Sequence, residues 1–426
     1  MTSTYNGTLE QDFDAWATMQ PGASARRWDL YRRLRHEAPR LRQRGKVYLS
    51  TFDDCRDVLG NATQFRNGFD PHGPAVNKVM TLLNGEQKKR YAAILDHQQR
   101  WLTSRNGSAH SNLRGLANRV FTPRAINDMK ARIQLEIDTR LEDLTKRDSV
   151  EIISEFAFHL PMTIISEMLD IPKDLRESIH QSWIQMTGMI GADAEHIPMV
   201  VDEAYRGMKQ LESRMREVMN LRRGSNTTDL LARLLAAQED EQGVATEEDI
   251  VGIVTQMVIA GHQTTQDTLG SALYELLSDR EQWNALCEDQ TLIPNTVEEV
   301  LRFRTPGQMI GRTVTVKVQI GDLEVTPGEQ VVCLLASANR DEAMFKDSDS
   351  FDIERENAKL HLAFSRGAHF CLGAALSRME VTSFLTTLAQ RFPDIRLLSE
   401  NVEWLPNNFL LGVRELHVNF GTEKSN

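Results

Sequence analysis

Apolar residues recur every three or four positions through long stretches of the chain, the spacing that gathers them on one face of a helix. Four such stretches are "AHSNLRGLANRVF" (109–121), "RAINDMKARIQLEIDTRLEDL" (124–144), "ISEFAFHLPMTIISEMLDI" (153–171) and "AYRGMKQLESRMREVMNLRR" (204–223). A fifth, opening at Thr246 and running to Asp279, differs in kind. Thr246 precedes a first turn rich in acids, which is an N-cap signature, and its middle is apolar on nearly every side. Such a helix crosses the interior rather than lying on it. "FDDCRDVLG" (52–60) reads as a capped helix, and a final helix starts near Leu372. Strand-like alternation is confined to short pieces, "KVYLS" (46–50), "RTVTVKVQIG" (312–321) and "EQVVCLLAS" (329–337). The expected fold class is mainly α with a small, peripheral β portion. Neither a repeat nor a Gly/Ser- or Pro-rich linker interrupts the pattern, so residues 1–426 are expected to form a single domain, with 1–25 as a loosely ordered N-terminal segment.

Charge narrows the partners. Lys and Arg number 49 against 60 Asp and Glu, a net −11, which disfavours coating nucleic acid or an anionic membrane. The arginine-dense start (Arg26, Arg27, Arg32, Arg33, Arg35, Arg40, Arg42, Arg44) is interrupted by Trp28, Leu30, Tyr31 and Leu34, and reads as an amphipathic helix with a solvated basic face. Without a signal-peptide pattern or an apolar run of spanning length, a cytoplasmic protein is expected. Cys55, Cys287, Cys333 and Cys371 show no CxxC spacing, which fits neither a disulfide framework nor a zinc site.

Cys371 has different surroundings from the other three. It lies at the mouth of the last helix, where free backbone N–H groups and the helix dipole favour a thiolate. Gly367 and Gly373 let the backbone bend around a flat ligand, while His369 and Arg366 offer donors to carboxylates or to an anionic partner. An isolated cysteine of this kind reads more readily as a buried, inert side chain.

The run Phe364-Ser365-Arg366-Gly367-Ala368-His369-Phe370-Cys371-Leu372-Gly373 resembles the haem-binding loop of the cytochrome P450 family, FxxGxHxCxG. Three further matches stand in the family's order. Glu299-Val300-Leu301-Arg302 resembles the ExxR helix, with Arg355 placed like the arginine that completes its network. Ala260-Gly261-His262-Gln263-Thr264-Thr265 resembles the oxygen-binding segment, and His110 with Arg114 resembles an HxxxR pair. The likeness runs from about Trp28 to about Val418.

The resemblance implies a haem b cofactor whose iron is bound by Cys371, the thiolate ligation that favours O–O cleavage. By the same resemblance Phe364, Gly367 and Gly373 shape the loop, and His110, Arg114, Arg312 and His369 hold the propionates. Ala260 and Gly261 leave room for dioxygen, and Thr264 supports proton delivery at the oxygen site. The implied activity inserts one atom of O2 into a mostly apolar small molecule, in secondary metabolism or catabolism. Electrons come from an external ferredoxin and ferredoxin reductase, docking near Arg366 and Arg378. Pocket candidates are Met309, Ile310, Asn408 and Phe409.

Three departures from the family pattern stand out. Gln263 occupies the position usually held by the proton-relay acid, and an amide cannot cycle a proton as a carboxylate does near neutral pH. The same chemistry used for oxidative coupling or dehydrogenation, without oxygen retention, is therefore the alternative. Ser365 replaces a common glycine, and the passage from Phe65 to His110 is longer than usual, suggesting an unusual lid or a large substrate.

Overall fold

A computed structural model describes residues 7–68, 73–189, 194–222, 230–240 and 245–423. Its axis is the 32-residue helix Glu247–Ser278, here called the central helix, and the sequence accounts for its start. The Thr246 hydroxyl accepts from Asp249 N at 3.1 Å, and the Asp249 carboxylate accepts from Thr246 N at 3.0 Å, a reciprocal cap with three acids at the positive end of the dipole. Ile250, Val251, Ile253 and Ile259 are buried on different sides of it. The helices His159–Met168, Ile197–Arg222, Ile293–Phe303 and Ala374–Arg391 pack around that apolar girth.

The β portion is peripheral. Five short strands are hydrogen-bonded in the spatial order Arg40–Gln43, Lys46–Leu49, Gln330–Cys333, Ile310–Val314, Phe65–Arg66. Lys46 pairs with Gln330 in the single parallel contact of this sheet, and Ile310 pairs antiparallel with Cys333. A three-stranded sheet (Val150–Glu151, His417–Asn419, Arg396–Leu397) and the hairpin Val318–Ile320/Leu323–Val325 complete the strands of the described residues.

Several expectations need correction. The segment before residue 25 is not loosely ordered over residues 9–17: Leu9–Ala17 is a helix capped by Thr8, and its Phe13 and Trp16 are buried against Tyr31 and Tyr48. Nor is the following basic helix, Arg27–Glu37, solvated on its whole basic face. Arg27 and Arg35 are buried, and Arg35 grips Glu342 at 2.7 Å and the Ser337 carbonyl at 3.2 Å. Arg's planar fork lets a buried cation satisfy several acceptors at once, which composition does not show.

The 124–144 stretch breaks at Met129 into Pro123–Asp128 and Lys130–Leu144, and the 153–171 stretch opens with a π-helical turn, Ile153–Ala157, before His159–Met168. After Cys333 the expected strand turns into a short helix, Leu335–Ala338, and the last helix begins at Ala374.

The passage from Phe65 to His110 contains the helices Pro74–Leu82 and Gly85–Gln99. Gly85–Gln99 is tied to Ile197–Arg222 by Arg90–Asp202 at 2.9 Å and His97–Glu212 at 2.8 Å. Burial raises the Glu212 pKa, yet His97 and Lys209 outweigh it and hold the carboxyl at about 2.

One polar network lies wholly inside. Arg302 forks onto Glu299 at 2.7 and 2.8 Å and donates to the carbonyls of Asn339, Ser348 and Ser350. Arg355 reaches the same carboxylate at 3.1 Å. Glu299 and Arg302 are both 0% exposed, so each charge depends on its partners for solvation. Glu299→Ala leaves two guanidinium groups buried without a carboxylate and is expected to cost about 3–5 kcal/mol in urea denaturation. A loss under about 1 kcal/mol would mean that the network carries little of the fold.

Candidate active site

The cysteine loop is suspended from that network. Arg302 holds the Asn339 carbonyl at 2.9 Å, and the Asn339 side chain accepts from Leu362 N at 2.7 Å, just before the loop. Within the loop, Ser365 N donates to the Leu362 carbonyl at 2.8 Å, and Cys371 N donates to the Phe364 carbonyl at 2.9 Å. Two residues adopt left-handed backbone, Ser365 at φ 62° and Gly367 at φ 70°. Gly367 is forced on space as well, since a Cβ there would come within 3.0 Å of the Leu59 carbonyl. Ser365 pays a steric cost that the commoner glycine would avoid.

Cys371 opens onto a cavity of about 270 Å³ and is packed by protein on its other sides. Burial pushes its thiol pKa up; the N–H groups of Gly373 and Ala374 and the charges of Arg114 and Arg378 act the other way. Burial prevails. The helix mouth alone therefore does not keep this sulfur ionised, contrary to the expectation from sequence, and a bound cation is what would deprotonate it outright.

Across the cavity from the cysteine loop, the central helix presents Ile253, Gln256, Met257, Ala260, Gly261 and Thr265. Leu102 and Thr103 enter from the segment ahead of the helix Gly107–Val120, with Ile310 from the sheet. The Thr264 hydroxyl turns back to the Ala260 carbonyl at 2.9 Å, and Thr268 repeats the bond to Thr264 at 2.7 Å. The helix stays α-helical throughout this stretch.

His110, Arg114 and His369 line the cavity wall, and the rings of the two histidines stand 4.0 Å apart. Arg312 lies behind them, donating to Asn67 at 2.8 Å and to the Ser365 hydroxyl at 3.5 Å. Among the described residues no carboxylate pairs with any of the four, and His110 Nε2 is buried without a partner. Burial lowers the pKa of His110, Arg114 and Arg312 alike, and His369 falls to about 3 through burial and the charges of His110, Arg312 and Arg114. Basic groups so gathered lack an anion, and a ligand carrying carboxylates beside a flat apolar face fits the donor set.

Other sequence candidates fall elsewhere. Asn408 donates to the Trp16 carbonyl at 3.2 Å, anchoring the N-terminal helix rather than lining the cavity. Met309 packs in the same N-terminal cluster, and neither it nor Phe409 borders the cavity. Arg378 is engaged by Glu298 through two bonds, the longer 2.8 Å, and lies over Phe364, so it is less available to an acidic partner than its position in sequence suggested; Arg366 is exposed.

Sequence reasoning missed Glu380 and Asp267, buried carboxyls raised by desolvation to about 8, although Gln263 and Asp267 at i and i+4 were a readable pair. It also missed the bond of Gln256 Nε2 to the Thr103 hydroxyl at 2.6 Å, which closes one wall of the cavity.

A long helix facing a cysteine loop, with basic groups beside the cysteine, defines a haem-thiolate protein. The chain belongs to the cytochrome P450 family, whose model matches residues 72–412, and it is a monooxygenase that uses a haem-thiolate cofactor, O2 and electron-transfer partners. It is similar to Cytochrome P450 107B1 of Saccharopolyspora erythraea, 34% identical over 315 residues, covering 73% of this chain and 75% of the relative. The Steroid C26-monooxygenase of Mycobacterium tuberculosis is 28% identical over 400 residues, 92% of each chain. Among solved structures, ligand-free CYP164A2 of Mycobacterium smegmatis superposes with a TM-score of 0.84 at 26% identity, covering 96% of this chain and all of that one. No helix among the described residues is long and apolar enough to cross a membrane.

Ser365→Gly removes the left-handed strain and is expected to stabilise the protein by about 1 kcal/mol in thermal or urea denaturation. A destabilised variant would show instead that the Ser365 hydroxyl, through Arg312, outweighs the backbone cost.

Proposed function

We propose that this chain oxygenates a mostly apolar small molecule held between the central helix and the Cys371 loop. The observation that carries the reading is the group of four basic side chains without a counter-carboxylate among the described residues, set beside a cysteine whose helix mouth points N–H groups at the sulfur. In this reading Cys371 would bind the iron of the haem, and His110, Arg114, Arg312 and His369 would hold its two propionates by charge-assisted bonds. When bound, the haem would supply the activation of dioxygen, by which one oxygen atom would enter the substrate and the other leave as water.

The chain's own residues do the positioning. Leu102, Ile253, Met257, Ala260 and Ile310 provide apolar walls that exclude water and favour an apolar substrate, while Gln256 and Thr103 place one polar pair among them. The relative named as a steroid monooxygenase supports a substrate of that apolar, medium-sized kind. Ala260 and Gly261 keep side-chain bulk away from the oxygen side, and the Thr264 hydroxyl supplies a donor there once it leaves the Ala260 carbonyl. Electrons would come from a ferredoxin and its reductase, with exposed Arg366 beside the cysteine loop as a docking charge.

A second reading rests on Gln263. Its amide is bonded to Asp267 at 2.8 Å, and with no acid at this position the same haem chemistry could serve coupling or dehydrogenation, in which the substrate gives up hydrogen atoms and keeps no oxygen. Turnover under labelled dioxygen separates the two. The proposal expects one labelled atom in the organic product; a product of altered mass without label would replace it with the second reading.

A further inference from the structure

Asp267 sits one helical turn beyond Gln263 on the central helix, so the two side chains share a face, and Gln263 Nε2 donates to Asp267 Oδ1 at 2.8 Å. The carboxyl is 2% exposed, and its second oxygen, Oδ2, is buried with no hydrogen-bond partner. The chain is shaped around it. Gly412, in the C-terminal segment, lies so close that a Cβ at 412 would overlap the Asp267 carboxyl. A bulkier residue at 412 would expel the acid; glycine leaves it a fitted niche. An ionised carboxylate with one unsatisfied oxygen and no cation costs far more to bury than the neutral acid does.

Resting on the oxygenase reading above, we propose that Asp267 is the proton-holding partner of Gln263, the acid of the oxygen-side helix set back by one turn from the position that Gln263 occupies. Asp267 does not border the cavity; it acts from a distance, as the store of a proton that is handed on beside Gln263. The transfer involves a proton alone. The Asp267 O–H bond breaks, a water admitted beside Gln263 accepts the proton and passes it toward Thr264, and the carboxylate regains a proton from solvent. No electron or further reactant is consumed.

The electrostatics agree with the geometry. Burial raises the Asp267 pKa from 3.8 to about 8, and the Gln263 amide is the one group that opposes it. No charged side chain enters the balance: Glu275, two turns further along the helix, is paired with Arg304, and Arg414, two residues beyond Gly412, is paired with Glu403. Because the folded-state pKa is raised, the native state is favoured while the acid keeps its proton, and that advantage is lost as pH rises from 3.8 towards 8.

Two variants of the full-length holoenzyme test the proposal. Asp267→Asn removes the proton, and the exchange Gln263→Glu with Asp267→Asn returns the acid to the nearer position. Dioxygen consumption driven by NADPH through a surrogate ferredoxin and its reductase is expected to fall about tenfold or more in Asp267→Asn, with a larger solvent deuterium effect, and to recover in the exchange variant.

Independently of turnover, the infrared spectrum of the resting holoenzyme should contain two protonated-carboxyl bands at neutral pH, from Asp267 and Glu380, one of which Asp267→Asn abolishes. The thermal midpoint of Asp267→Asn should also gain on the parent as pH rises. Unchanged dioxygen consumption in Asp267→Asn, or a parent spectrum without the Asp267 band, overturns the inference. If Asp267→Asn alone fails to fold, the exchange variant decides, since an acid and an amide are kept in contact: parent-like consumption supports the relay and collapsed consumption overturns it. The reduced carbon monoxide spectrum of each protein keeps the two readings apart, because its thiolate band tests Cys371 and is indifferent to Asp267.

Discussion

The carboxylate of Glu299, fully buried and shared between two guanidinium groups, is the constraint on which the rest of the site depends. Charges desolvated to this degree tolerate one geometry, because any displacement leaves a donor or acceptor unsatisfied in a low-dielectric interior. Arg302 spends its remaining donors on backbone carbonyls, among them that of Asn339, and the Asn339 side chain fixes Leu362 at the threshold of the cysteine loop. The position of one sulfur is thereby tied to an ion pair on a different helix. The loop itself stores strain at Ser365, which holds only because its surroundings are rigid.

Facing this rigid floor, the central helix is held by packing on all sides and by a strong N-terminal cap, so the distance between its small residues and the cysteine loop is set by the whole core. The basic groups complete the site from the side. Concentrating His110, Arg114, Arg312 and His369 without a carboxylate is unfavourable for the protein alone, and binding a doubly anionic group relieves it. Stability and cofactor retention are coupled through the same four side chains, and the neighbouring thiol, raised by burial, also gains from a bound cation.

Much of this was legible in the sequence where chemistry demands fixed spacing. The cysteine loop, the Glu299–Arg302 turn and the small residues at 260 and 261 each serve one local geometry: Glu299 and Arg302 pair one turn apart, and Ala260, Gly261 and Cys371 border the same cavity. The burial of the central helix was likewise readable, because apolar residues on every side leave no solvent face. What could not be read depends on which distant segments meet. Asn408 turns to the N-terminal helix because Phe13 and Trp16 bury that helix against Tyr31 and Tyr48, and nothing near Asn408 in sequence announces this contact. Arg378 is engaged by Glu298 from another helix, and Arg35 is buried in what looked like a solvated basic face. Asp267 was missed because an acid among glutamines and threonines shows its burial only once Gly412 is seen to make room for it.

The central claim, that the buried network delivers Cys371 to a metal as a thiolate, is tested most directly by the absorption spectrum of the reduced holoprotein under carbon monoxide. The account predicts the strongly red-shifted Soret band of a thiolate-ligated carbonyl adduct. A stable band at the shorter wavelength of imidazole or neutral-thiol ligation, in freshly prepared and fully folded protein, would contradict it.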